Sequence, residues 1–148
     1  MKTLGERIIS YIDAADHPVT CFDLSREFGK GERLLIDSSD SHVVGWGISE
    51  EAHMAMHYLL GTLDIIPCPC DPEIYFKIMP LDEILEKCVL NFDNEDGFTI
   101  QRLQWKPVEF KTFEGTLKWI EETQEPEEAA ENINRLKKER AKIVGQLE

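Results

Sequence analysis

Apolar residues recur along the chain at two periods, and the alternation between those periods divides it into elements. Leu4, Ile8, Ile9, Ile12 and Ala15 fall three and four apart, which predicts an amphipathic helix over about 3–15. Pro18 ends it and leaves His17-Pro18-Val19 extended. Thr20 can cap a second helix with Asp23 three residues on, Leu24 and Phe28 facing inward and Gly29 as its stop. Over 30–48 the pattern is less regular: Leu34-Leu35-Ile36 and Val43-Val44 flank a polar turn at 37–41, which predicts a loose hairpin. Ser49 caps a third helix whose buried stripe is Ala52, Ala55, Met56, Leu59, Leu60 and Leu63, with Glu50, His57 and Gly61 on the opposite face. Ile65-Ile66 and 74–79 then read as two strands around Asp71-Pro72.

In the second half, Pro80 opens a helix with Leu81, Ile84, Leu85, Cys88 and Val89 inward. An acidic turn over 91–97 follows, then a second hairpin with arms 98–105 and 108–113 around Lys106-Pro107. A short helix carries Leu117, Trp119 and Ile120. Residues 121–128 form a polar linker containing Pro126. The last helix, about 127–147, places Ala129, Ile133, Leu136, Arg140, Ile143 and Leu147 at alternating steps of four and three, a heptad seam with one charged interruption. The expected class is α+β. The expected organisation is an acidic domain over 1–97, a hairpin and short helix over 98–123 packed on it, and a linker with terminal helix over 124–148.

The order helix, short strand, helix, helix, hairpin over 3–79 resembles the winged helix-turn-helix superfamily. The residues that carry it are the first helix to Ala15, His17-Pro18-Val19-Thr20, Asp23-Leu24, Phe28-Gly29, the third helix over 49–64, and the strands at 65–66 and 74–79. It covers about half the chain. One departure is the gap of about 19 residues between the second and third helices, where typical members have a few. The resemblance implies DNA reading with the third helix in the major groove. Yet 49–64 holds no Lys or Arg, only Glu50, Glu51 and Asp64, and the wing at 65–79 sets Lys77 against Asp71 and Glu73. Each neutralised phosphate needs a cation, and specific binders use roughly 6–10 of them. Direct nucleic-acid binding through this helix is therefore not expected, and the resemblance points instead to a winged helix used for protein contact.

The net charge of -13 sharpens this, because it is unevenly spread. Residues 1–97 hold 19 acids against 7 bases, and 98–148 hold 10 against 9. The front of the chain repels phosphate and attracts a basic protein partner. No apolar run reaches the ~20 residues a membrane span needs, and 1–7 lacks the basic end and apolar stretch of a signal peptide. A cytoplasmic protein is expected, with Cys21, Cys68, Cys70 and Cys88 as reduced thiols. No phosphate-binding loop, dinucleotide fingerprint, nucleophile elbow or HExxH is present, so the reading is non-enzymatic. Acidic pairs such as Asp93 and Glu95 read as solvated surface.

Several side-chain groups could still carry chemistry. His53 and His57, four apart on one helical face, with Cys68 and Cys70 beyond, have the donor set of tetrahedral zinc, but the CxC pair matches no finger spacing and Pro67, Pro69 and Pro72 suggest a stiff turn instead. Cys21 or Cys88 could act as a nucleophile beside His17 or His42, or simply pack. Trp46, between Gly45 and Gly47, either projects as an interface anchor or plugs the core. The terminal helix bears the one basic run, Arg135, Lys137, Lys138, Arg140 and Lys142, and its seam residues Ile133, Leu136, Ile143 and Leu147 can form a homodimer, fold onto the body, or leave the cations for nucleic acid.

The favoured reading is a regulatory protein of inhibitor, immunity or adapter type that engages a basic partner through Trp46, Glu50, His57, Asp71 and Glu73. The alternatives are a winged-helix transcriptional regulator contacting DNA through Lys30, Arg33 and the basic C-terminal helix, and a small zinc-binding protein.

Overall fold

The structure is a computed structural model that describes residues 1–37, 41–94 and 97–147, with the side chains at 90–94, 97–100 and 147 outside the description. The expected α+β class holds. Local signals start and stop the first elements where the residues dictate. Thr3 accepts from the Glu6 N–H and opens α1 (Leu4–Ala14). The Asp23 carboxylate accepts from the Thr20 N–H at 2.9 Å and opens α2 (Cys21–Phe28), which Gly29 closes at φ +120°, a conformation that favours glycine. The predicted hairpin forms as β1 (Lys30–Ile36) and β2 (Val43–Ile48), antiparallel with irregular register; the tip at 38–40 lies outside the described residues. A Cβ at Gly31 would stand 2.5 Å from the Ile48 carbonyl oxygen, so only glycine lets the arms approach there. Ser49 Oγ accepts from the Ala52 N–H and opens α3 (Glu50–Gly61), whose expected stripe faces inward from Ala52 to Leu60, with Leu63 falling beyond the helix.

Beyond α3 the expected order changes. Residues 65–69 form β3 (Ile65–Pro69), but 74–79 is not a strand: it holds the short helix α4 (Glu73–Phe76) and its closing turn. The Asp71 carboxylate accepts from the Glu73 N–H at 3.0 Å and turns the chain into that helix. After α5 (Leu81–Lys87) the chain makes a hairpin of β4 (Val89–Asn94) and β5 (Gly97–Arg102). The stretch after 98 therefore pairs backward, not with 108–113, and the expected boundary at 97 falls inside a hairpin; Asp93 and Glu95 lie outside the described side chains. β6 (Val108–Thr112) instead pairs antiparallel with β3, from Ile65 opposite Thr112 to Pro69 opposite Val108. The Cys70 N–H donates to the Pro107 carbonyl, so inward donors fall on even residues and Pro67 and Pro69 turn their missing donors to the outer edge. Along the other edge of β6, the Phe110 N–H donates to the Val19 carbonyl at 2.8 Å.

Two apolar clusters result. The first gathers Ile8, Leu24, Val44, Ile48, Met56, Ile65 and Phe110 between α1, α2, α3 and the β3–β6 pair. The second gathers Cys21, Val43, Trp46, Tyr75, Ile84 and Cys88, and joins the β1–β2 hairpin to α4 and α5. Val44 and Ile48 of β2 join the first cluster, and Val43 and Trp46 join the second. Leu81 and Leu85, expected inward, are exposed, because Ile84 and Cys88 form the buried side of α5.

The chain ends in α6 (Phe113–Thr123) and α7 (Pro126–Leu147), packed together. Ala129 is buried and Ile133, Leu136 and Ile143 are half-buried. Arg140, the charged interruption of the heptad, reaches Asp64 at 2.6 Å, donates to the Leu63 carbonyl at 3.2 Å and lies 5.0 Å over the Phe113 ring. The seam thus turns toward the chain's own body, and the coiled-coil dimer expected of it is not required to cover it. The Leu147 side chain lies outside the described set. No described helix is long and apolar enough to cross a membrane.

Candidate interaction surface

The third helix divides its residues between core and solvent by its period. Ala52, Met56 and Leu59 are buried, so Glu50, Glu51, Met54, His57, Tyr58 and Gly61 face outward. Met54 is 66% and Tyr58 59% exposed, one turn apart on that face. Beside them a groove of about 460 Å³ runs between α1 and α3, floored by Ile9, Ala55 and Leu59 and rimmed by Glu6 and Asp64. Sequence reasoning placed Glu50 and His57 here but missed Met54 and Tyr58. Their signal was available: both lie outside the stripe that Ala52 and Met56 define.

The charges on this face are partly spent. Glu50 pairs with Arg33 at 3.1 Å, and Asp64 with Arg140. Arg33, a cation the DNA reading relied on, therefore has a carboxylate partner. The rings of His53 and His57 stack 6.1 Å apart at 17°. Burial, then the Arg33 and His57 charges, push the His53 pKa below its ordinary value, so His53 is neutral at pH 7.

Trp46, named as a partner anchor, is 5% exposed and belongs to the second cluster, edge-on to Phe22 at 5.5 Å. Gly45 beside it serves packing, not projection: a Cβ there would stand 3.0 Å from the Cys21 Cβ, while Gly47 supplies a φ of +71°. Asp71 and Glu73 are exposed around the start of α4 and do not line the α3 groove, and the Asp71 carboxylate accepts from the Glu73 N–H.

The zinc set is not brought together. Among the described residues no group of three or more His, Cys, Asp or Glu could hold a metal ion. Cys68 points into the core, with its Sγ 3.7 Å from both the Ile66 carbonyl and Thr116 Oγ1. Burial pushes the Cys21 thiol up to about 12 and those of Cys68, Cys70 and Cys88 up to about 11, so each is a neutral thiol at pH 7. His17 instead bonds the carboxylates of Asp16 at 3.3 Å and Asp23 at 3.2 Å. No family model, curated protein or solved structure matches the chain.

Proposed function

We propose that this chain is a non-enzymatic regulatory protein, of inhibitor, immunity or adapter type, that binds a basic protein partner through the outer face of α3. One observation carries the reading: the helix that the winged-helix order would set against DNA presents Glu50, Glu51, Met54, His57 and Tyr58, with no Lys or Arg over 49–64, beside an apolar groove. A phosphate backbone finds no cation there, whereas an apolar anchor with basic neighbours finds a groove and carboxylates. The winged-helix reading itself is supported by α1, the extended Val19 beside β6, α2, α3 and the β3–β6 pair, taken as a wing opened by the insertion 70–107. The unpaired cysteines suit a reducing compartment and support a cytoplasmic setting.

The test is capture from native lysate with the full chain as bait, compared with Met54→Asp/Tyr58→Asp. The expected result is a basic partner lost with the double variant and weakened at raised salt. A partner retained by that variant would overturn the reading. The exposed Arg135, Lys137, Lys138 and Lys142 favour a second reading, a regulator that contacts DNA through α7. A gel shift abolished by neutralising Arg135, Lys137 and Lys138 together, and untouched by Met54→Asp/Tyr58→Asp, would select it.

A further inference from the structure

One carboxylate on the rim of the α1–α3 groove already holds a cation, and that cation belongs to the chain itself. The charged residues that line the groove are Glu6 and Asp64, both carboxylates. Lys2, next in the chain to the groove-lining Thr3, donates to Ser10 Oγ at 2.7 Å. Arg140 of α7 sits on Asp64. Its guanidinium reaches Asp64 Oδ1 at 2.6 Å, donates to the Leu63 carbonyl at 3.2 Å and lies 5.0 Å over the Phe113 ring. Pairing, donating and stacking at once is what a planar guanidinium does and an ammonium does not.

The contact is open to exchange. Both side chains are partly in water, Arg140 at 29% and Asp64 at 26%. Such a pair is weak, so an incoming cation can replace it. The Thr62 hydroxyl donates to Asp64 Oδ2 at 2.7 Å and steadies the carboxylate whichever cation it faces. Elsewhere α7 packs along α6. Over 135–142 it carries Arg135, Lys137, Lys138, Arg140 and Lys142 against the single carboxylate Glu139, the charge expected of the partner.

We propose that α7 is an autoinhibitory strap: Arg140 occupies Asp64 in the free chain, and an arginine of the basic partner takes its place on binding, releasing the end of α7 from α3. The proposal rests on the partner-binding reading of the outer α3 face and adds regulation to it. The competitor is part of the same chain, so it is present at high effective concentration. It lowers the apparent affinity to the extent that Asp64 is occupied. Whatever draws α7 away from the body therefore strengthens partner binding.

Titration of the full chain with the basic protein it captures from lysate tests the strap. Arg140→Ala should tighten binding about tenfold, by freeing a carboxylate that wild type keeps occupied about nine-tenths of the time. Adding Asp64→Asn to that variant should cancel the gain, since the freed carboxylate is its source; a general loosening of α7 cannot imitate that coupling. In wild type, saturating partner should speed hydrogen exchange over 135–147, the reverse of the usual protection on binding. Arg140→Ala binding no tighter than wild type, a gain that survives Asp64→Asn, or exchange over 135–147 unchanged or slowed by the partner would each overturn the strap and leave the α3 reading standing. A partner retained by Met54→Asp/Tyr58→Asp would end that reading, and the strap with it.

Discussion

At the residue scale, burial fixes the role of Trp46. Trp46 packs on Phe22 and Tyr75 inside the second cluster, so its loss opens a cavity. Trp46→Ala should cost about 3–5 kcal/mol of stability by denaturant titration, whereas Met54→Ala on the exposed face should stay within about 0.5 kcal/mol. His17 gives a pH dependence with a definite sign. Hydrogen bonds to Asp16 and then Asp23 raise its pKa above 6.5 in the fold. Its stabilisation is therefore fully present below the unfolded pKa and lost as pH rises through the folded one. The stability difference between wild type and His17→Ala should be larger at about pH 5.5 than at about pH 8. Asp23 runs the other way: burial opposes its charge, but the Thr20 N–H, His17 and Arg26 outweigh that and hold its pKa below the ordinary value. Its contribution is present above the unfolded carboxylate pKa and lost as pH falls through the folded one, so Asp23→Asn should narrow its gap to wild type in acid.

At the scale of elements, α7 packs along α6, and one of its side chains ties it to the end of α3. Leu63 ends α3 at φ +64°, a conformation unfavourable for a branched side chain, and Arg140 holds both its carbonyl and the neighbouring Asp64. Arg140→Ala removes an ion pair, a cation–ring contact and a backbone bond at once. It should cost about 1–2 kcal/mol and raise hydrogen exchange over 126–147 while leaving β3 and β6 protected. Arg140 also shows how far the chain could be read from residues alone. Helices were legible because their signals are local: the Thr20–Asp23 box, the Ser49 cap and the α3 stripe all stand as expected. Strand pairing was legible only for the local β1–β2 hairpin; Val108 to Thr112 finds its partner across two helices and a hairpin, and nothing local distinguishes β3 from the nearer β5. The short apolar run at 74–79 carries no period that tells a strand from one helical turn. The candidate surface was half legible: Glu50 and His57 follow from helical phase, while Trp46 stands open between anchor and core in the sequence, because a glycine beside a large ring signals either projection or close packing, and burial decides for the core.

For the whole molecule, charge acts on folding and on binding with opposite signs, and that separates the two. A net charge of -13 on a chain this small repels itself in the compact state. The screening length falls from about 8 Å at 0.15 M salt to about 3 Å at 1 M, which removes that repulsion between distant surface carboxylates. The short ion pairs that hold the fold, Arg140 with Asp64 and Lys106 with Asp37, are partly buried and lose less. Raised salt should therefore raise the denaturation midpoint. The same salt screens an acidic surface from a basic partner and should lower the affinity at α3. Both quantities can be followed on one preparation, the midpoint by chloride-matched thermal unfolding and the affinity by titration with the captured partner. A partner whose affinity fell only because the fold weakened would show both moving down together, and that result would refute the electrostatic account of recognition.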